Sequence, residues 1–395
     1  MTPPGRPGGV SSAVLMKWPT DAGYAITALE RLFFETAVTL AGGDANRVHF
    51  AYTDVSPGPP AALPAGFPNV STIDINKPTP AMLERLARLI REHGIDFVLT
   101  FDMQPVHPMY RVIRDAGAAT IVSYWGAPIS SPSPAWKRAV KRALLAVSRS
   151  RVDGLVFESQ AMADLALVGR GVPPSMIDVI PLGVDIDRYR PADSSYVYTA
   201  LGIPPERKVF VFSGHCTPRK GIGTLVEAAV ELLSRRRRTD ICIVICGNRG
   251  NESAPYEAIY AGLGIDEGIR FAGYRTDLLP IFQSAFCGII PSSGWDSFTL
   301  SSVEMAATGL PVIASRLQGL AEAVRDGDTG LLFEPGNPQA LADCVEALAD
   351  DPGRAKTLGR AGRARAEREL SLAVQRQRLL DAIVRRLPAP RTATA

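Results

Sequence analysis

Short apolar runs recur along this chain, and each is followed by a longer stretch in which apolar residues return every three or four positions. VLMKW (14–18), VHFAY (48–52), FVLTF (97–101), TIVSYW (120–125) and GLVFES (154–159) read as strands. The stretches between them predict helices over 24–40, 80–93, 107–116, 134–148 and 160–168. In PLGVDIDRYRPADSS, from Pro181, proline, glycine and charge replace the periodicity, which suggests a hinge or linker. The alternation then restarts, with strands at 209–214, 241–247, 269–274, 287–293, 311–315 and 330–334. Helices fit at 221–234, 253–263, 276–284, 298–308, 319–325 and 337–349, and the tail 363–387 reads as one or two amphipathic helices.

Strands that alternate with helices imply a parallel sheet covered on both faces. The expectation is therefore two doubly wound α/β domains in series, with ligands beyond the carboxyl ends of the strands and the active site in the cleft between domains.

Composition narrows the function classes. A chain of 395 residues suits two or three domains, and 46% hydrophobic residues is ordinary globular composition. No apolar run approaches the ~18 residues of a membrane span. The start, MTPPGRPGGVSS, lacks the apolar core of a signal peptide and reads as a disordered leader before a cytosolic fold; the end, PAPRTATA, also reads as disordered. Five cysteines show no paired framework and four histidines no ligand spacing, so reduced thiols and no metal site are expected. DID (185–187) and DGD (326–328) fall in linker and turn contexts and are not read as metal sites. A net charge of +3 does not point to nucleic acid. The segment WKRAVKRALLAVSRSR (136–151) nevertheless carries six basic residues among apolar ones. It reads either as a helix lying on an anionic membrane surface or as a solvated helix face. The second is preferred because arginine is abundant throughout the chain.

Two stretches carry candidate chemistry. In VFVFSGHCTPRKGIGTLVEAA (209–229) a strand ends at Ser213-Gly214, and Arg219 and Lys220 follow in a short loop before Gly221 opens a helix. Two adjacent cations at a strand's carboxyl end suit a diphosphate, arginine as a planar fork and lysine as a point charge. In PSSGWDSFTLSSVEMAATGLPVIAS (291–315) a strand, a loop and a helix start follow one another. Exposed amides and the positive end of the helix dipole favour an anion there. Asp296 and Glu304 lie eight positions apart, about 12 Å if all eight are helical. That spacing would set sugar hydroxyls at one carboxylate and ribose hydroxyls at the other. Read alone, Asp296 or Ser297 could equally be a helix cap and Glu304 a solvated helix residue.

Taken together, these stretches resemble the signature of family 4 glycosyltransferases of the GT-B fold. VDGLVFESQAMADL, VIPLGVDIDRYRP, IRFAGYRTDLLPIFQSA and GLAEAVRDGDTGLLFEPGNPQALADCVEAL resemble family segments in family order, covering about residues 150–370. The resemblance implies that Arg219 and Lys220 hold the donor diphosphate, that Glu304 binds the ribose, and that the backbone at Phe298, Thr299 and Leu300 contacts sugar and phosphate. Asp296 stands where the family has a glutamate facing the donor sugar, one methylene shorter. Gly214, Asn248, Arg249, Tyr274 and Arg275 fall around the nucleotide, the last four where the base would dock. The N-terminal half matches more thinly. Gly23, in a loop with Asp21 and Tyr24, would approach the donor phosphates. The family's histidine after TIVSYW is absent, and His107 is a candidate substitute. Asp102 and Gln104 could bind acceptor hydroxyls. Tyr124 and Trp125 could form a stacking wall for a sugar, or be core aromatics.

The chain is accordingly divided into an acceptor-binding Rossmann-like domain (1–186), a nucleotide-sugar-binding one (187–370), and a C-terminal helix packing back on the first domain before a tail (371–395). The function implied is metal-independent transfer of a hexosyl group, with retention, from a nucleotide sugar to an acceptor hydroxyl. A UDP-sugar is expected first and a GDP-sugar next, with no permanently bound cofactor. The acceptor is expected in glycolipid, polysaccharide or sugar-containing natural product biosynthesis, and the enzyme in the cytoplasm or peripherally at the inner face of the membrane. A nucleotide-sugar epimerase and a non-catalytic nucleotide-sugar-binding subunit are the alternatives. A phosphorylase lacks a candidate cofactor lysine, and a dinucleotide oxidoreductase lacks GxGxxG after any predicted strand.

Overall fold

The computed structural model of the protein describes residues 9–389. The expected disordered leader and tail fall largely on 1–8 and 390–395, outside the described residues. The chain forms two compact units. One is built from the chain up to Ile180 together with the segment from Gln375 onward, the other from Pro181–Val374.

The first unit runs β1 (Ser12–Leu15), α1 (Tyr24–Leu40), β2 (Val48–Tyr52), β3 (Val70–Thr72), α2 (Pro80–Glu92), β4 (Phe97–Phe101), α3 (Pro108–Asp115), β5 (Thr120–Trp125), α4 (Ala135–Val147), β6 (Gly154–Phe157), α5 (Gln160–Leu165) and β7 (Ile177–Val179). All seven strands are parallel, in the order β3-β2-β1-β4-β5-β6-β7. Because helices cover both faces, every residue of β2, β4 and β5 is buried, which is why these strands appear as unbroken apolar runs.

The second unit runs α6 (Tyr196–Leu201), β8 (Lys208–Ser213), α7 (Ile222–Val230), β9 (Ile241–Cys246), α8 (Ala254–Tyr260), β10 (Ile269–Phe271), α9 (Leu278–Ser284), β11 (Cys287–Ile290), α10 (Leu300–Ala307), β12 (Val312–Ser315), α11 (Leu320–Ala323), β13 (Gly330–Phe333), α12 (Pro338–Asp350) and α13 (Pro352–Glu369). Its six strands are parallel, in the order β10-β9-β8-β11-β12-β13. Alternate residues feed two cores: Phe210, Phe212, Ile241, Ile243 and Ile245 on one face, Val209, Val211, Cys242, Val244 and Cys246 on the other. The last helix, α14 (Leu372–Val384), returns to the first unit. There Gln375 Nε2 donates to the Tyr124 hydroxyl at 3.3 Å and Arg376 pairs with Glu35 at 2.8 Å.

Several elements differ from the sequence reading. β1 ends at Leu15, so Lys17 and Trp18 lie beyond it. The predicted helices from 160 and 221 finish in π turns at 166–170 and 231–235. β3, β7 and α6 were not predicted, and α13 starts at Pro352, well ahead of the expected 363. Part of its inward face is glycine rather than large apolar residues. A Cβ on Gly359 would overlap the Gly309 carbonyl oxygen, so this close approach requires glycine. Among the described residues, no helix is long and apolar enough to cross a membrane.

The first unit buries one carboxyl group at a cost. Glu30, in α1, is 1% exposed, and its Oε2 has no hydrogen-bond partner. Burial raises its pKa to about 7, only partly offset by the neighbouring Tyr52 hydroxyl. The folded protein thus holds a proton that the unfolded chain releases near pH 4.5, so this group makes stability fall as pH rises between about 4.5 and 7. Glu30→Gln should stabilise the protein by roughly 1–3 kcal/mol at pH 8, and the gain should vanish towards pH 4.5; chemical denaturation across pH reads both.

Candidate active site

In a doubly wound sheet, ligands bind where the strand order reverses. In the second unit that place lies between β8 and β11. Beyond β8 the chain passes Gly214, whose N–H donates to the Cys246 carbonyl at 3.0 Å, and makes a single 3₁₀ turn over Pro218–Lys220. Gly221, at φ 72°, then opens α7. A Cβ there would lie on the Pro291 carbonyl oxygen, so only glycine allows the two loops to touch.

They touch along their length. The N–H groups of Ser293 and Gly294 donate to the Arg219 carbonyl at 3.0 and 3.1 Å, and Ser293 Oγ donates to the Pro218 carbonyl at 2.9 Å. This backbone clasp brings the side chains into register. Lys220 Nζ donates to Asp296 Oδ2 at 2.8 Å, and Ser292 Oγ donates to the same oxygen at 2.7 Å. Arg219 lies 3.7 Å from Asp296 Oδ1, donates to the Trp295 carbonyl at 3.0 Å, and stacks 4.8 Å from the Trp295 ring centre. Asp296 is 5% exposed, whereas the Arg219 side chain is 38% exposed. Its N–H donates to Gln318 Oε1 at 3.3 Å, and Gln318 sits at φ 41°. One buried carboxylate therefore faces two cations, leaving the cluster a net positive charge on its more open side.

Next to it begins α10. Phe298 is buried in the core and anchors the turn. Thr299 is the cap residue, but its side chain does not cap: its Oγ1 is buried without a hydrogen-bond partner. The first amides of a helix have no partner within it, so Leu300 and Ser301 present donors, while the Ser302 N–H donates to the Thr299 carbonyl at 3.1 Å. Glu304, 2% exposed, lies one turn inside. Because α10 starts only at Leu300, half of the steps from Asp296 to Glu304 are loop, and the 12 Å helical spacing expected from sequence does not apply.

The residues expected around the base lie on neighbouring loops. After β9, Asn248 Nδ2 donates to Glu252 at 2.9 Å, while Arg249 lies 3.6 Å from Glu257 and crosses Gly273. Tyr274 is 71% exposed. Arg275 is held by Asp277, which also accepts from the Tyr196 hydroxyl at 2.6 Å, an arrangement that ties this loop to α6.

In the first unit the strand order reverses between β1 and β4. Gly23 caps α1 at φ 96°. Asp102 follows β4 in a left-handed conformation, φ 51°, which a non-glycine residue adopts only at a cost. Its Oδ1 accepts from the Gly126 N–H at 2.9 Å, and Lys17 Nζ stands 3.4 Å from Oδ2. Burial pushes its pKa up, against the opposing pull of Lys17 and the Gly126 amide. Gln104 Oε1 is buried without a partner. His107 is a helix cap: its Nδ1 accepts from the Met109 N–H at 3.3 Å, and burial lowers its pKa. Tyr124 and Trp125 are core residues. Tyr124 packs 5.1 Å from Phe33 and 6.2 Å from Phe101 in a fully buried site, and Trp125 is 3% exposed beside Phe157. The expected stacking wall is therefore corrected: β5 is an interior strand covered on both faces, so neither side chain reaches solvent.

Sequence reasoning missed Ser292, Trp295, Gln318 and Lys17. The first two adjoin Asp296 in the quoted loop and carried a local signal. Gln318 and Lys17 carried none, since only folding brings them to their partners.

A model of the group 1 glycosyl transferases matches residues 207–351, and one of Glycosyltransferase Family 4 matches residues 29–188. D-inositol 3-phosphate glycosyltransferase of Corynebacterium efficiens is 36% identical over 45% of this chain and 44% of its own length. That of Acidothermus cellulolyticus is 32% identical over 64% and 55%. The chain thus spans about half the length of the curated relatives it matches. Among solved structures, a glycosyltransferase from Rickettsia africae superposes with TM-score 0.76 over 96% of this chain and 99% of its own, at 18% identity. The Anabaena protein HepE in complex with UDP gives 0.74 over 95% and 100%, also at 18%. Those two structures speak for the fold. With the Family 4 model on one part of the chain and the group 1 model on the other, the chain belongs to the glycosyltransferases and has the GT-B fold.

Proposed function

We propose that the protein transfers a hexosyl group from a nucleoside diphosphate sugar to an acceptor hydroxyl, with retention of configuration. The observation that carries this reading is the cluster at the β8–β11 reversal: Arg219 and Lys220 beside the open start of α10, with Asp296 between them. Cations and the free amides of a helix start are the groups that suit a diphosphate, which supports this reading. A UDP-sugar is the first donor to consider and a GDP-sugar the next, with Asn248, Arg249 and Tyr274 nearest the base and Glu304 at the ribose. D-inositol 3-phosphate is the first acceptor to assay, because matched relatives carry that name.

In the reaction, the bond from the anomeric carbon to the β-phosphate oxygen breaks. The acceptor oxygen bonds to the anomeric carbon on the same face. The acceptor's proton passes to the departing phosphate, so no protein nucleophile is required. Arg219, Lys220 and the α10 amides stabilise the negative charge that grows on the phosphate. Asp296, buried and oriented by Ser292, faces the donor sugar and holds Lys220 in place. With these cations at the leaving group, the chemistry has no call for a metal ion.

The deciding experiment is a thermal-shift screen of UDP-, GDP-, ADP- and dTDP-sugars, followed by a transfer assay with the donor found. A ligand at 100 times its Kd adds about 2.7 kcal/mol of stability, so a true donor should raise the melting temperature by degrees. EDTA should leave transfer unchanged. If no nucleotide sugar shifts the transition, the assignment fails; conversion of donor without acceptor would instead identify an epimerase.

Two variants test the cluster. Lys220→Met should lower kcat about 10²–10³-fold in a protein that still folds but melts at a lower temperature, because Asp296 loses its closest cation. Asp296→Asn should bind UDP more tightly, because a diphosphate no longer shares Lys220 and Arg219 with a carboxylate, yet transfer more slowly. Weaker UDP binding in Asp296→Asn, measured by calorimetry, would contradict this account of the three charges.

A further inference from the structure

Helix α4 turns its apolar side outward. Trp136, Val140, Leu144 and Val147 are 65%, 52%, 60% and 80% exposed, and Leu145 is the helix's one buried residue. At about 100° per residue these four side chains fall within a stripe about 80° wide, opposite Leu145. Val168 and Val106 extend the surface. The Val168 carbonyl accepts from the Ser133 N–H at 3.0 Å just before the helix, and Val106 bridges to Arg151 just after it. Six of the twelve exposed large hydrophobic residues among the described ones therefore lie on or beside this helix, a concentration rather than the usual scatter.

Charge fits the same surface. No acidic residue occurs between Asp115 and Asp153, while Lys137, Arg138, Lys141, Arg142, Arg149 and Arg151 all do. Lys141 and Arg138 serve as tethers, donating to the Gly169 carbonyl at 2.7 Å and the Ser133 carbonyl at 2.9 Å. Lys137 is exposed at one edge of the stripe, Arg142 is exposed on the far side of the helix, about 160° from the stripe's centre, and Arg149, exposed beyond the helix end, is 3.5 Å from Asp115. Pairing this face with a second copy would bring cations against cations. An apolar stripe with a cation at its edge instead matches lipid tails beneath anionic headgroups.

We infer that α4 docks the protein on the surface of an anionic bilayer, with Trp136, Val140, Leu144 and Val147 entering the headgroup region and Lys137, at the stripe's edge, meeting lipid phosphates. Bilayer binding does not require the transfer reaction, so its test stands apart from that of the proposed activity. The full chain should float with vesicles containing about one-third phosphatidylglycerol and not with pure phosphatidylcholine, and should detach between ~0.1 and ~0.5 M salt. Val140→Asp/Leu144→Asp should cut partitioning at least ~10-fold, and Lys137→Gln about 5-fold. All three positions are exposed, so melting temperatures should hold. Absence of flotation by the parent, or flotation of Val140→Asp/Leu144→Asp equal to it, would overturn the inference. So would a concentration-dependent dimer, seen by sedimentation, that this pair abolishes without any vesicle binding, which would assign the stripe to a second copy.

Discussion

Everything at the candidate site depends on two loops being able to touch. The contact between Gly221 and the Pro291 carbonyl leaves no room for a side chain, and the Arg219 carbonyl accepts two amides from the facing loop. Once that clasp forms, Lys220 and Asp296 meet at hydrogen-bonding distance although they are 76 residues apart in the chain. A carboxylate as buried as Asp296 is tolerable only because Lys220, Ser292 and the nearby Arg219 compensate it. Breaking such a pair by removing one partner typically costs about 3–5 kcal/mol. The same charges proposed to bind an anion thus also hold the loops that present them.

The clasp lies at the β8–β11 reversal because of sheet topology. Right-handed crossovers leave a crevice where neighbouring strands send their helices to opposite faces. The loop after β8 and the loop after β11 are the pair flanking that crevice. The first unit repeats the arrangement between β1 and β4, where Lys17 approaches Asp102. There the residue after the strand is held at positive φ by the Tyr124 carbonyl, which accepts from its N–H at 2.7 Å, and by the Gly126 amide on its carboxylate. Strain held by that many contacts is characteristic of sites whose geometry matters more than their stability.

Legibility in the sequence followed how local each signal was. The interior strands were plain, because burial on both faces makes them continuous apolar runs. The edge strands β3 and β7 were not, since VST and IDV are short and only half-buried. α13 was hidden for a related reason: glycine and alanine make part of its buried face, so its periodicity carries little hydrophobic contrast. Arg219, Lys220 and Asp296 were legible because each lies in a short loop between a strand end and a helix start. Gln318, which fixes the Asp296 backbone from 22 residues away, had no local signal. Tyr124 and Trp125 show the converse, since aromatic identity at a strand end does not reveal which side chains the sheet will cover.

Helix α4 shows where a periodic pattern stops being informative. Its apolar and basic residues alternate as in any amphipathic helix, and both sequence readings used that same alternation. What separates them is which side faces inward, and that is settled by polar contacts. Lys141 and Ser133 both donate to the Gly169 carbonyl, at 2.7 and 2.6 Å, so a cation lies under the helix where an apolar side chain would ordinarily be. The π turn at 166–170 is what supplies that carbonyl. Held in this way, the helix gains almost nothing for the fold from Trp136, Val140, Leu144 and Val147. Four large apolar side chains that contribute so little to their own domain, on a segment free of acidic residues, are explained by a surface outside the chain rather than by folding.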